Sequence, residues 1–304
     1  MIKQRIIVII IFIGLLLNTI GCSPIETEES ANNNEIIAYA SVYPIYDFAK
    51  KIGGERINVK MATPPGAEPH GWEPSGKAIK EIEQSQVFLY NGLDLDPWAE
   101  RIGRGLKDKV TIIAVGEEEA LAPMIIKEGI GSYDPHIWLD PIIVIEMAKI
   151  IKDVFSEVDK ENQNYYEENF NIFQSKLYEL DKEYNAALSR VKNKNFIVSH
   201  GAFGYLAKRY GLNQITILGL TPQGEPSPAK LVELTTLIKK YNINTVFFEH
   251  LTSPKAANVL AKETGINVEV LHPIGGLTQE EMDNGEDYIS IMRKNLTHLV
   301  RALD

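Results

Sequence analysis

The chain has 304 residues, with 31 basic and 41 acidic side chains and a formal charge of −10. So acidic a surface does not suit nucleic acid or an anionic membrane as a partner, because both carry the same sign of charge. One cysteine, Cys22, excludes an internal disulfide.

The chain opens with Lys3 and Arg5, then an apolar run from Ile6 to Leu17. That run is short for a membrane span and has the pattern of a secretory signal over residues 1–21. Cys22 follows directly, after the small Gly21, where a bacterial lipobox has its lipid-modified residue; Thr19 stands where leucine is usual. Without residues 1–21 the chain keeps 29 basic and 41 acidic residues, a formal charge of −12. Residues 22–35, containing "SPIETEESANNNE", are polar and acidic and read as a lipidated flexible tether. The expected location is the extracytoplasmic face of the cell membrane, held by the lipid. About 270 residues remain, enough for one large or two medium domains.

From residue 36 strand-like and helix-like patterns alternate. "IIAYAS", "INVKMA", "VFLYNG" and "VTIIAV" are β-rich, and "YDFAKKIGG" between the first two ends in glycines, as helices often do. Asp140 and Pro141 form a cap-plus-proline helix start, followed by Val144, Ala148, Ile151 and Phe155 at helical spacing. Between Glu161 and Val191 there is no glycine or proline. Tyr166, Phe170, Phe173, Leu177, Leu180, Tyr184, Ala187 and Val191 keep a three-four spacing there, predicting a rod of roughly 45 Å. Beyond it "FIVS", "ITILGL", "TVFFE" and "NVEVLH" alternate with helical segments, which start at Ser227-Pro228 and Ser253-Pro254 and stop at Gly211 and Gly265. Strands separated by helices need crossovers, so the expected fold class is α/β, with mainly parallel sheets flanked by helices. The expected order is an N-terminal lobe at 36–158, a long rigid linking helix at 159–193, and a C-terminal lobe at 194–304.

Four of the six histidines follow strands of this scheme: His70 after "INVKMA", His136 before the Asp140 cap, His200 after "FIVS" and His272 after "NVEVL". Carboxyl ends of parallel strands line ligand crevices, so two histidines from each lobe point to one cleft. His250 and His298 lack that support and read as structural. Trp72 and Trp138, each two places after a cleft histidine, should wall the site from water. Neutral imidazoles suit borderline metals, and three or four nitrogens, with or without a carboxylate, form a zinc-type set; Mn²⁺ prefers more oxygen. Protons should compete with the metal below about pH 6. Asp134 or Asp140 should orient His136, and Glu249 reads as either structural or orienting. Neither the helix-borne H-E-x-x-H pattern nor a complete G-x-x-x-x-G-K-[ST] phosphate loop occurs in the sequence, since Gly71–Lys77 is followed by Ala78.

"PPGAEPHGWEPS", "DPHIWLDP", "SHGAFGYLAKRYGL", "EPSPAKL" and "FFEHLTSPKAANVLAKETG" resemble the successive motifs of the zinc/manganese solute-binding lipoproteins of bacterial ABC importers, cluster A-I or family 9. The resemblance runs from about Glu35 to the C-terminus and implies two α/β lobes linked by a rigid helix, with metal between them. It implies His70, His136 and His200 as ligands, His200 standing where zinc binders have His and manganese binders Glu. The fourth position departs from the family's Asp: "LHPIGG" puts His272 there, and water or a carboxylate such as Glu68 could take its place. The histidine-rich loop of many zinc binders is replaced by "GEEEALAPMIIKEGIGSY", whose Glu117–Glu119 read as a solvated charge run. The implied function is a monomeric receptor, not an enzyme, that takes Zn²⁺ to a membrane permease and its ATPase subunit. A manganese or iron receptor of the same fold is one alternative. The other is a zinc hydrolase with Glu68 as base.

Overall fold

The computed structural model describes residues 35–129 and 132–304. The expected leader, Cys22 and nearly all of the tether lie outside these residues. The first sheet comprises β1 (Ile36–Ala40), β2 (Ile57–Met61), β3 (Val87–Tyr90) and β4 (Thr111–Ala114). Its order is β2-β1-β3-β4 and every pair is parallel, with Ala38 opposite both Val59 and Val87. The crossovers are α1 (Tyr43–Gly53), α2 (Gly76–Glu83) and α3 (Pro97–Leu106). Pro44 opens α1, and Gly54 closes it at a φ of 52°, a conformation glycine adopts without strain. A two-stranded antiparallel ribbon, β5 (Lys127–Gly129) and β6 (Ser132–Tyr133), leads into α4 (Pro141–Val158). Asp140 caps α4, accepting from Ile142 N at 2.8 Å.

The long helix α5 runs Gln163–Leu188, shorter than expected because Lys160–Asn162 forms a 3-10 turn before it. Its buried stripe is Tyr166, Phe170, Phe173, Leu177, Leu180, Tyr184 and Leu188, with Leu188 in place of the expected Ala187. The chain then forms β7 (Asn195–Val198), α6 (Gly204–Tyr210), β8 (Asn213–Thr216), α7 (Pro228–Tyr241), β9 (Thr245–Phe248), α8 (Lys255–Thr264) and β10 (Asn267–Val270). The short α9 (Gln279–Asp283) and the final α10 (Tyr288–Leu303) complete it. The second sheet has the order β10-β9-β7-β8, again parallel throughout. Among the described residues no helix is long and apolar enough to cross a membrane.

One continuous core joins both sheets through α1, α4, α5 and α10. Phe48 packs edge-on against Tyr288 at 5.1 Å and lies 5.6 Å from Phe173. Tyr184 donates its hydroxyl to Met292 O at 2.6 Å, tying α5 to α10. Each such fully buried side chain contributes roughly 1.5–3 kcal/mol. The long helix thus packs along both parts of its own chain, the use the three-four stripe serves here.

Candidate metal centre

His70 lies in a 3-10 turn, Pro69–Gly71, at the end of the loop that leaves β2. Glu68 Oε1 accepts from His70 N at 3.1 Å, and proline at the first position fixes the turn. His136 follows Pro135, whose carbonyl accepts from Asn91 Nδ2 at 3.1 Å. His200 sits two residues beyond the end of β7.

The three Nε2 atoms converge: His70 to His136 is 3.1 Å and His200 to His136 is 3.3 Å. Two nitrogens on one tetrahedral zinc, each about 2.0–2.1 Å from it, stand about 3.3 Å apart. Behind them, Asp134 Oδ1 is 2.8 Å from His136 Nδ1, and Glu249 Oε2 is 2.6 Å from His200 Nδ1. A carboxylate only accepts, so each Nδ1 carries the proton and each Nε2 turns a lone pair inward. Lone pairs this close repel unless a cation lies between them.

Burial, with the His136 and His200 charges, lowers His70 to about 2; burial, then His200, lowers His136 well below its ordinary value. At these two rings protons therefore compete with a metal less readily than at a free imidazole. Burial raises Asp134 to about 7, partly offset by the His136 amide; a dication in the cavity favours its ionised form.

The nitrogens face a cavity of about 20 Å³, lined also by Glu68, Trp138, Glu249, Thr252, Gly275 and Gly276. This holds one ion or one water-sized group. A Cβ on Gly275 would come within 2.9 Å of Pro69 Cγ, and one on Gly276 within 3.0 Å of Ala67 O. Glycine lets the wall close on the His70 turn. Trp138 donates its Nε1–H to Pro273 O at 2.7 Å and packs edge-on to His136 at 5.4 Å, so it walls the cavity as expected. Trp72 does not: the turn sends it to the outer face of the first sheet, against Trp98 at 5.1 Å.

The remaining sequence-predicted residues fall as follows. His272 does not join the other three histidines. It stacks on His250 with ring centroids 3.9 Å apart, and Glu281 completes a separate cluster. Its Nδ1 accepts from Ile274 N at 2.8 Å, and its backbone is clamped by Asn295, whose Oδ1 accepts from His272 N at 2.9 Å. Asp140 does not touch a histidine either; besides capping α4 it pairs with Arg209 at 3.3 Å. Glu68 has both oxygens engaged, by His70 N and by Gln223 Nε2 at 3.2 Å. Glu249 holds His200 twice, since Oε1 also accepts from His200 N at 3.3 Å.

Sequence reasoning missed the residues that brace the His136 loop. Tyr205 donates its hydroxyl to Asp134 O at 2.8 Å, and Tyr288 donates its own to Trp138 O at 2.7 Å. Gly204 is needed because a Cβ there would meet Asp134 Oδ2 at 2.6 Å. The only signal was Tyr205 within a motif that also holds His200.

Residues 38–302 match the family described as zinc-uptake complex component A, periplasmic, or ZnuA. The chain belongs to this family. It is 36% identical over 300 residues to the high-affinity zinc uptake system protein ZnuA of Bacillus subtilis, covering 95% of this chain and 94% of that one. The zinc-binding lipoprotein AdcA of Streptococcus pneumoniae is 39% identical over 273 residues, 86% of this chain. The chain spans about half the length of that relative, 54%. The crystal structure of the Zn(II)-bound ZnuA-like domain of the same AdcA superposes with a TM-score of 0.78 at 37% identity, over 89% of this chain and 99% of that domain. The ZnuA family assignment accords with the two parallel sheets and the long helix, and a Zn(II)-bound relative shares the fold.

Proposed function

We propose that this chain is the receptor of a zinc importer: it captures Zn²⁺ at His70, His136 and His200 and passes it to an ABC permease driven by an ATPase subunit. The observation that carries the reading is the Nε2 spacing of 3.1 and 3.3 Å, matching adjacent ligands of one tetrahedral ion. Zinc is favoured over manganese or iron(II) because the inward donors are imidazole nitrogens, while Asp134 and Glu249 spend an oxygen each on Nδ1. The names of the relatives, zinc uptake protein and zinc-binding lipoprotein, support the same cargo.

Three histidines beside a position open to water would also suit a hydrolase. The cavity argues for a receptor, since about 20 Å³ admits no organic substrate and both oxygens of Glu68 are occupied. Cys22 would carry the lipid anchor on the extracytoplasmic face, with 22–35 as tether, 36–158 and 194–304 as lobes, and 159–193 as their link. The receptor acts as a monomer. The test is metal-stripped protein offered one equivalent each of Zn²⁺ and Mn²⁺, followed by native mass spectrometry and elemental analysis. Loss of the tightly held zinc in His70→Ala supports the reading; preferential retention of manganese overturns it.

A further inference from the structure

We propose that His250, His272 and Glu281 form a second site for a borderline divalent ion such as Zn²⁺, separate from the three-histidine centre. The ligand atoms of these residues all lie within 4.8 Å of one another. His250 follows β9 and His272 follows β10, neighbouring strands of the second sheet, and α9 brings Glu281 over them. His272 is only 6% exposed, and its Nε2 has no hydrogen-bond partner among the described residues. The same holds for both ring nitrogens of His250. Glu281 Oε2 lies 3.2 Å from His250 Nε2, close enough for Coulomb attraction but too poorly aligned for a hydrogen bond.

Buried ring nitrogens without partners are costly, and three of them beside a carboxylate make a site that a cation would satisfy. The carboxylate has an oxygen to give. Glu281 Oε2 is held by Thr278 N and Oγ1, each at 2.8 Å, while Oε1 faces His272 Nε2 at 3.6 Å. Two imidazoles and a carboxylate are a recurrent zinc donor set that leaves a position for water.

Binding through His272 has a consequence for the adjoining loop. Its Nδ1 accepts from Ile274 N, which leaves the proton on Nε2. A metal at Nε2 displaces that proton and makes Nδ1 a donor, so the Ile274 amide must turn away. Ile274 sits at a φ of 60°, a strained conformation for a β-branched residue, and this strain favours the turn. The second site is therefore the weaker of the two.

The site rests on no part of the import reading. Equilibrium dialysis of the purified full chain against Zn²⁺, with elemental analysis, should give two equivalents, the weaker removed first by a chelator. His250→Ala should lose the weaker equivalent alone and His70→Ala the tighter alone, so each variant's remaining site reports its folding. Crystals of the wild type soaked in Zn²⁺ should show anomalous density between His250 and Glu281, which needs no variant. One equivalent in the wild type, a second that survives His250→Ala, or no anomalous density in the cluster would overturn the proposal.

Discussion

Replacing Glu249 by Gln removes one charge and keeps the shape, which makes it the sharpest probe of how the centre is held. Glu249 is 2% exposed and accepts twice from His200, at 2.6 Å from Nδ1 and 3.3 Å from the backbone amide. Glutamine has one acceptor and one donor for these two positions. With its oxygen toward Nδ1, its NH₂ meets the His200 amide donor to donor. Flipped, it presents NH₂ to Nδ1, and the ring must then carry its proton on Nε2, where the metal binds. Either way an orienting contact is lost. Loss of such a contact typically weakens metal binding by about 10–100-fold, which is about 1.4–2.7 kcal/mol. A competition titration with a zinc chelator at pH 7.5 measures this, and a far-ultraviolet circular dichroism melt without metal shows that the variant folds. A well-folded variant that binds Zn²⁺ within about threefold of wild type would refute the orienting role.

Gly275→Ala should weaken the same titration by about tenfold, because the new Cβ lies 2.9 Å from Pro69 Cγ and displaces the turn that carries His70; unchanged binding would mean that the wall yields freely. His272→Asn should leave the tighter Zn²⁺ site within about threefold of wild type, whereas a four-histidine centre would lose much more. Without metal, His70 and His136 should make the melting temperature fall more steeply below pH 6.5 than it would without them. His70 and His136 have folded values lowered from 6.5, so they bind fewer protons folded than unfolded, and their contribution is full above 6.5 and lost towards about 2 for His70. Asp134, raised from 3.8 to about 7, acts oppositely between those values. Asp96, raised to about 6, acts with Asp134, so the check is the difference between wild type and His70→Ala: the variant's melting temperature should fall less between pH 6.5 and 4, and an unchanged profile would contradict this account.

The fold was legible where local chemistry decides it. Cap-plus-proline pairs marked the starts of α4 and α7, confirmed by Asp140 accepting from Ile142 N and Ser227 from Lys230 N. The stripe on α5 was legible because both of its neighbours in space bury the same face. Strand order was not legible, and it is what separates His272 from the centre. The second sheet runs β10-β9-β7-β8, so a histidine after β7 reaches the cleft, while one after the edge strand β10 lies two strands away. Between them β9 supplies Glu249 to His200 and, one residue later, His250 to His272. All these positions are carboxyl ends of parallel strands and look equivalent in a linear pattern. Trp72 was misplaced for a similar reason, because a two-residue offset from His70 does not specify which way a 3-10 turn faces.

The same packing limits how a bound ion can leave. Phe48, Phe173, Tyr184, Tyr288 and Met292 belong to one core that runs beneath both sheets, and each is at most 2% exposed. Bending the two sheets apart across α5 would expose several of these side chains, at roughly 1.5–3 kcal/mol each. The loop over the cavity places less in that core: within Pro273–Gly276 only Ile274 belongs to it. The Pro273–Gly276 wall is fastened by the fully buried Ile274 side chain, by the Ile274 N–H bond to His272 Nδ1 and by the Trp138 Nε1–H bond to Pro273 O, and Ile274 is strained at a φ of 60°. A net hydrogen bond contributes only about 0.5–1.5 kcal/mol, and the strain at Ile274 works against the closed form. The less costly route to release is therefore a local opening of this wall over a core that stays intact. Trp138→Phe, which removes the bond and keeps an aromatic wall, should speed Zn²⁺ dissociation in stopped-flow chelator capture by roughly two- to tenfold. It should do so without lowering the melting temperature of the core by more than a few degrees. An unchanged dissociation rate would mean that the ion leaves by another path.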